Sequence, residues 1–190
     1  EAMRTYRLLF AAALAALALQ AADAQRGRGD RDDRDDRDDR DDRDDRDGGD
    51  SACRTSLGEI EVRGNLNVTT RCQLNGTEIR GNVILFVGGS LIARGAHIRG
   101  SLEASRADFV DLDRVRVDRE VRLQELVGDS SRIDDSDLRG NVVLTGNRSR
   151  FVILDNEFRG DLGAFGNTGG LQIAGNDIEG DLECRGNAPA

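Results

Sequence analysis

Tryptophan and lysine are absent from this chain of 190 residues, and histidine and tyrosine occur once each. The one tyrosine, Tyr6, lies in the opening segment, so beyond it a sugar ring would have only phenylalanine to stack on. The one histidine, His97, should face solvent without a paired cysteine, which excludes the usual zinc cluster and a His-based catalytic triad. Long apolar runs are also missing. The longest, residues 8–19, is too short to cross a bilayer. The 27 basic residues are outnumbered by 36 acidic ones, giving a net charge of −9. With no basic stripe, nucleic-acid binding is not expected.

What the chain does contain is a repeat. Phe158-Arg-Gly-Asp-Leu-Gly-Ala-Phe-Gly-Asn167 matches Ile178-Glu-Gly-Asp-Leu-Glu-Cys-Arg-Gly-Asn187 position for position, twenty residues apart. The same core recurs at 62–68, 79–85, 98–104 and 138–144, and in degenerate form at 117–123. Its fifth position falls at Leu66, Val83, Leu102, Val121, Val142, Leu162 and Leu182. A period near 20 with strict alternation inside it predicts an all-β fold, a right-handed parallel β-helix (β-solenoid) of about seven turns. Side chains alternate along a strand, so one set must be dry. The last turn is expected to bury Leu171, Ile173, Ile178, Leu182 and Cys184, beneath them Phe151, Ile153, Phe158, Leu162 and Ala164.

Gly64, Gly81, Gly100, Gly140, Gly160 and Gly180 share one position, read as a sharp bend or a positive φ. Arg119 replaces glycine there and should mark the most distorted turn. Asn147, Asn167 and Asn187, and likewise Asn156 and Asn176, are placed to hydrogen-bond along the axis. Residues 175–189, closing on Gly-Asn-Asp-Ile-Glu-Gly-Asp-Leu-Glu-Cys-Arg-Gly-Asn-Ala-Pro, resemble the end of short secreted bacterial β-helix proteins. There is a looser likeness to bactofilins, and that likeness implies end-to-end polymerisation.

In chain order, residues 1–24 read as a signal peptide: Arg4 and Arg7, an apolar stretch, then Ala22-Asp23-Ala24 before Gln25. No transmembrane span is expected after its removal, and the protein is expected to be secreted or at the cell surface. Residues 25–50 form an Asp/Arg linker, with twelve Asp and six Arg between 30 and 47, and nothing apolar to bury. Weak cation or mineral binding is the alternative reading of this linker, against that of a plain spacer. Residues 51–190 form the β-helix domain.

Cys53 and Cys72 are 19 apart, so they could stack on adjacent turns and form a disulfide in an oxidising compartment. Cys184 falls on an inward column and reads as a small buried hydrophobe, with intermolecular pairing left open by the odd count. Glu61, Glu78, Asp137, Glu157 and Asp177 form one charged row, and Arg63, Arg80, Arg99, Arg139 and Arg159 another. They read as a solvated face of weak ion pairs. Asp111, Asp113, Asp134, Asp135, Asp137 and Asp155, with Arg114 and Arg132, are the best candidates for carboxylate chemistry on polysaccharide. No loop is long enough to wall a groove around them. No catalytic residue, cofactor or metal ligand is assigned. Asn67, Asn75 and Asn147 head glycosylation sequons.

These readings converge on a non-enzymatic structural or adhesive solenoid that self-associates through its ends. Uncapped strand edges after Asn187 are the reason. Ile84, Phe86, Val143 and Phe165 point outward and are a candidate lateral surface, with Cys184 added as a possible assembly residue. A cell-surface polysaccharide is the alternative partner.

Overall fold

The computed structural model describes residues 49–189; the signal-like segment and most of the Asp/Arg linker lie outside the described residues. Every regular element among the described residues is a β-strand, and every pairing is parallel. The strands fall into three sheets because each turn visits three faces in fixed order.

Sheet A holds β1 (Ser51–Cys53), β4 (Leu66–Val68), β7 (Val83–Leu85), β10 (Leu102–Ser105), β13 (Val121–Gln124), β16 (Val142–Thr145), β19 (Leu162–Phe165) and β22 (Leu182–Arg185). Sheet B holds β2 (Ser56–Leu57), β5 (Arg71–Asn75), β8 (Ser90–Arg94), β11 (Phe109–Asp113), β14 (Ser130–Asp134), β17 (Arg150–Leu154) and β20 (Leu171–Ala174). Sheet C holds β3 (Glu61–Val62), β6 (Glu78–Ile79), β9 (His97–Ile98), β12 (Arg116–Val117), β15 (Asp137–Leu138), β18 (Glu157–Phe158) and β21 (Asp177–Ile178). This is a parallel β-solenoid of about seven turns. Leu66, Val83, Leu102, Val121, Val142, Leu162 and Leu182 stack as direct partners, in the register the repeat predicts.

The interior is a continuous apolar column from Cys53 to Ala164, with Leu66, Ile79, Leu102, Leu123, Phe151 and Phe158 fully enclosed. At about 2 kcal/mol per buried aliphatic side chain, this column is the dominant stabilising contribution. The last turn departs from expectation. Leu171, Ile173 and Ile178 are only half-buried, Leu182 is 51% exposed and Cys184 is exposed. Their inward register is as read from the repeat, but among the described residues no turn lies above them to exclude water.

Glycine at the repeat position is explained by close approach, and not by a positive φ. Gly81, Gly100, Gly140, Gly160 and Gly180 are absent from the left-handed region. A Cβ on Gly81 would lie 2.5 Å from the Gly64 carbonyl oxygen, and one on Gly140 2.6 Å from the Arg119 backbone. The turn carrying Arg119 keeps unbroken register, with β12 paired to both β9 and β15. What it lacks is a corner hydrogen bond. Asn65, Asn82, Asn141 and Asp161 each accept from a backbone N–H one turn on, through Asn82, Ser101, Asp161 and Asp181. The Glu120 carboxylate in this series accepts instead from Arg122.

Left-handed backbone is used at two other corners. Between sheets B and C it falls at Gly76, Gly95, Arg114, Asp135, Asp155 and Gly175. Between sheets A and B it falls at Gly88, Arg106, Glu125, Gly146, Gly166 and Gly170, and after β22 at Gly186. Inside these corners the polar ladder is real. The Asn167 Oδ1 accepts from the Asn147 N–H at 3.0 Å and from its Nδ2 at 2.8 Å, and Asn187 does the same for Asn167. Asn156 and Asn176 repeat the arrangement at 2.9 Å. In earlier turns the equivalent corners hold apolar Ala96, Val115, Ala107 and Leu126, which need no partner, together with Thr77, whose hydroxyl donates to the Gly58 carbonyl, and Ser136, whose Oγ accepts from the Val115 N–H.

Cys53 and Cys72 are disulfide-bonded, with Cα atoms 5.7 Å apart. They do not stack on one column. Cys53 pairs with Val68 in sheet A, whereas Cys72 pairs with Leu91 in sheet B. The first turn is shorter than the others, so nineteen residues from Cys53 passes a full circuit and lands on the next face. The bond therefore ties two sheets together across the interior.

Candidate functional site

Three surfaces have enough organisation to be considered: the charged flank of sheet C, the charged face of sheet B, and the two ends. On sheet C the alternation throws both neighbours of each inward residue outward. Glu61, Glu78, His97, Arg116, Asp137, Glu157 and Asp177 stack in one register column. Opposite charges meet both within a turn and between turns. Arg80 reaches Glu61 at 2.9 Å, Arg99 reaches Glu78 at 2.6 Å and Arg63 reaches Glu61 at 3.4 Å. In the middle turn the order of charges is reversed, Arg116 standing in the acidic column and Asp118 in the basic one. Arg116 then bridges to Asp137 at 3.0 Å, and Asp118 accepts from His97 at 2.9 Å and pairs with Arg139 at 3.3 Å. His97 is thus half-buried and tied to Asp118 rather than freely solvated.

The carboxylates singled out from the sequence divide between faces. Asp111, Asp113 and Asp134 lie on sheet B, Asp137 on sheet C, and Asp135 and Asp155 at the left-handed corner between them. Arg94 binds Asp111 through both terminal nitrogens, at 2.6 and 3.1 Å, and approaches Asp113 at 3.6 Å. The hydrogen bond to Asp111 raises the Arg94 pKa above its ordinary value, against the opposing effect of burial. Arg114 is likewise raised, first by its hydrogen bond to Asp113. Arg132 pairs with Asp134. Each of these acids on the two sheets already has a guanidinium partner, and beside them lies only an open depression of about 300 Å³ bordered by His97, Arg114, Arg116, Asp135 and Asp137. Among the described residues, no three His, Cys, Asp or Glu side chains are grouped to hold a metal ion.

The outward hydrophobic residues do not form one patch. Ile84 and Phe86 lie on and just after β7, Val143 on β16 and Phe165 on β19. Glu103 and Arg122, on the strands between, separate the two pairs. Phe165 is half-buried because its ring covers Gly163, where a Cβ would lie 2.6 Å from the ring. Phe86 and the neighbouring Val87 are 47% and 65% exposed and border a depression of about 420 Å³ that reaches Arg106 and Arg122. Of the sequons, Asn147 is fully buried in the ladder and closed to modification, while Asn67 faces outward.

The ends differ. At the N-terminal turn Leu57, Ile60, Val62 and Leu66 line a mouth of about 560 Å³. Even there, Cys53 and Val62 are only 2% and 7% exposed. At the C-terminal turn not one inward residue is buried, and the outer edges of β20, β21 and β22 have no partner among the described residues.

Stacked parallel strands, a dry column and flanks carrying ion pairs define a β-solenoid. No family model matches the chain, and no curated protein or solved structure matches it. The likeness to bactofilins accordingly rests on residue spacing alone.

Proposed function

We propose that this chain is a secreted, non-enzymatic structural β-solenoid that self-associates through the ends of its stacked turns. The single observation behind the reading is the last turn, where Leu182 is 51% exposed beside half-exposed Leu171, Ile173 and Ile178. Apolar surface together with unpaired strand edges favours another strand over water. The flanks support the same reading, because Glu61, Glu78, Asp118, Asp137 and Glu157 on sheet C are each paired with an arginine and leave little for a lateral partner. Export is supported by the signal-like residues 1–24 and by the Cys53–Cys72 disulfide, which suits an oxidising compartment. The test is the mass of the exported chain, residues 25–190, by light scattering across a concentration series. Growth of mass with concentration is expected, and a strictly monomeric species at the highest soluble concentration would sink the proposal.

A further inference from the structure

Coiling gathers along one edge a set of arginines that the sequence scatters. Arg54, Arg106 and Arg148 lie at the corners between sheets A and B, and Arg71 and Arg150 open the strands β5 and β17 that follow such corners. All are exposed, and among the described residues none is paired with a carboxylate. The arginines along sheet C differ: Arg63, Arg80, Arg99, Arg116, Arg139 and Arg159 each have an acidic partner. Asp108, Glu125 and Asp129 share the A–B edge but are outnumbered there. The Arg71 guanidinium lies 6.0 Å from the centre of the Phe109 ring, a contact that holds it in place without neutralising its charge.

Two depressions of about 420 Å³ each open on this edge. Arg54 and Arg71 border the first, among Thr55, Ser56, Thr70 and Gln73. The second joins Arg106 to the exposed Phe86 ring, Ser105 and Gln124. Glu103 and Arg122 offset one another on its border. Unpaired guanidiniums suit carboxylates, hydroxyl and amide groups suit sugar hydroxyls, and an exposed ring suits the apolar face of a sugar. Arg71, Arg106 and Arg150 fall on alternate turns, so they are anchored about 10 Å apart along the axis, as a repeating linear polymer requires.

We propose that the A–B edge binds a linear carboxylate-bearing polysaccharide laid parallel to the solenoid axis, its acid groups on Arg54, Arg71, Arg106 and Arg150 and a sugar ring on Phe86. A nucleic-acid duplex suits the edge less well, because its second strand would lie over Asp111, Asp113 and Asp134 on sheet B. The edge runs along the side of the turns and needs neither end, so the inference stands or falls apart from self-association.

The test is biolayer interferometry of the exported chain, residues 25–190, against size-fractionated alginate, with dextran and polyphosphate of matching length as comparators. Binding to alginate is expected, weakening at least about tenfold between about 0.05 and about 0.5 M NaCl as screening strengthens. The variant Arg71→Gln/Arg106→Gln/Arg150→Gln should lose about tenfold or more in affinity with the circular dichroism unchanged. Arg63→Gln/Arg80→Gln/Arg99→Gln removes the same charge from the flank of sheet C and should change affinity by less than about twofold. Phe86→Ala should weaken binding several-fold. Should the edge variant not fold, Arg150→Gln alone should still show a several-fold loss. No binding to alginate at low salt would overturn the inference. So would dextran or polyphosphate binding as tightly as alginate, or the sheet C variant losing as much as the edge variant.

Discussion

Arg106, Arg114, Glu125, Asp135 and Asp155 hold left-handed backbone that glycine holds elsewhere in the same corners. A residue with a Cβ is strained there by about 1–2 kcal/mol, offset in part by glycine's greater entropy when unfolded. Glu125→Gly should therefore raise stability by about 0.5–1 kcal/mol in urea melts. Gly81 tests the opposite cause. Its φ is ordinary but a Cβ would strike the Gly64 carbonyl, so Gly81→Ala should cost about 2 kcal/mol or more, and no rotamer can relieve it. The Arg94–Asp111 pair shows the sign of the charge effects. Its arginine pKa is raised on folding, so its contribution is complete below the unfolded value and lost only as pH climbs through the higher folded one. Arg94→Met should accordingly cost a similar amount at every pH near neutrality, within the ~1 kcal/mol of partly exposed ion pairs.

At the scale of the element, each ladder is a chain of dependencies. Asn167→Ala removes the acceptor of both the Asn147 N–H and its Nδ2, leaving two donors unmatched in a buried corner. A loss of about 2–3 kcal/mol is expected by chemical denaturation. Asn187→Ala should cost less, since Asn187 is itself only half-buried and its truncation lets water approach the Asn167 donors it leaves behind. The disulfide acts at the other end. A solenoid turn contacts only its neighbours, so reducing Cys53–Cys72 should loosen the first turns and leave exchange protection of β14 to β19 unchanged. Uniform loss of protection along the molecule would contradict this.

For the whole molecule, the proposed self-association would link stability to concentration. A partner that binds only the folded state stabilises it by mass action, so the melting temperature should rise with protein concentration. Leu182→Arg should abolish the dependence. The distribution of charge fits the proposal: flanks whose ion pairs are already formed give a lateral neighbour little to gain.

The repeat by itself determined the strands, their register and the identity of the inward column, because alternation and a steady period leave one way to bury Leu66 through Leu162. It also marked both asparagine ladders, whose spacing equals one circuit. Tertiary structure decided the rest. Whether Leu182 and Cys184 are dry depends on what lies above them, which no local pattern encodes. The reason for glycine at Gly81, the cross-sheet path of Cys53 to Cys72, and the separation of Ile84 and Phe86 from Val143 and Phe165 all depend on which turn stacks on which. Alternation along a strand is a local property of the backbone, but contact between turns is set only when the whole ribbon has coiled.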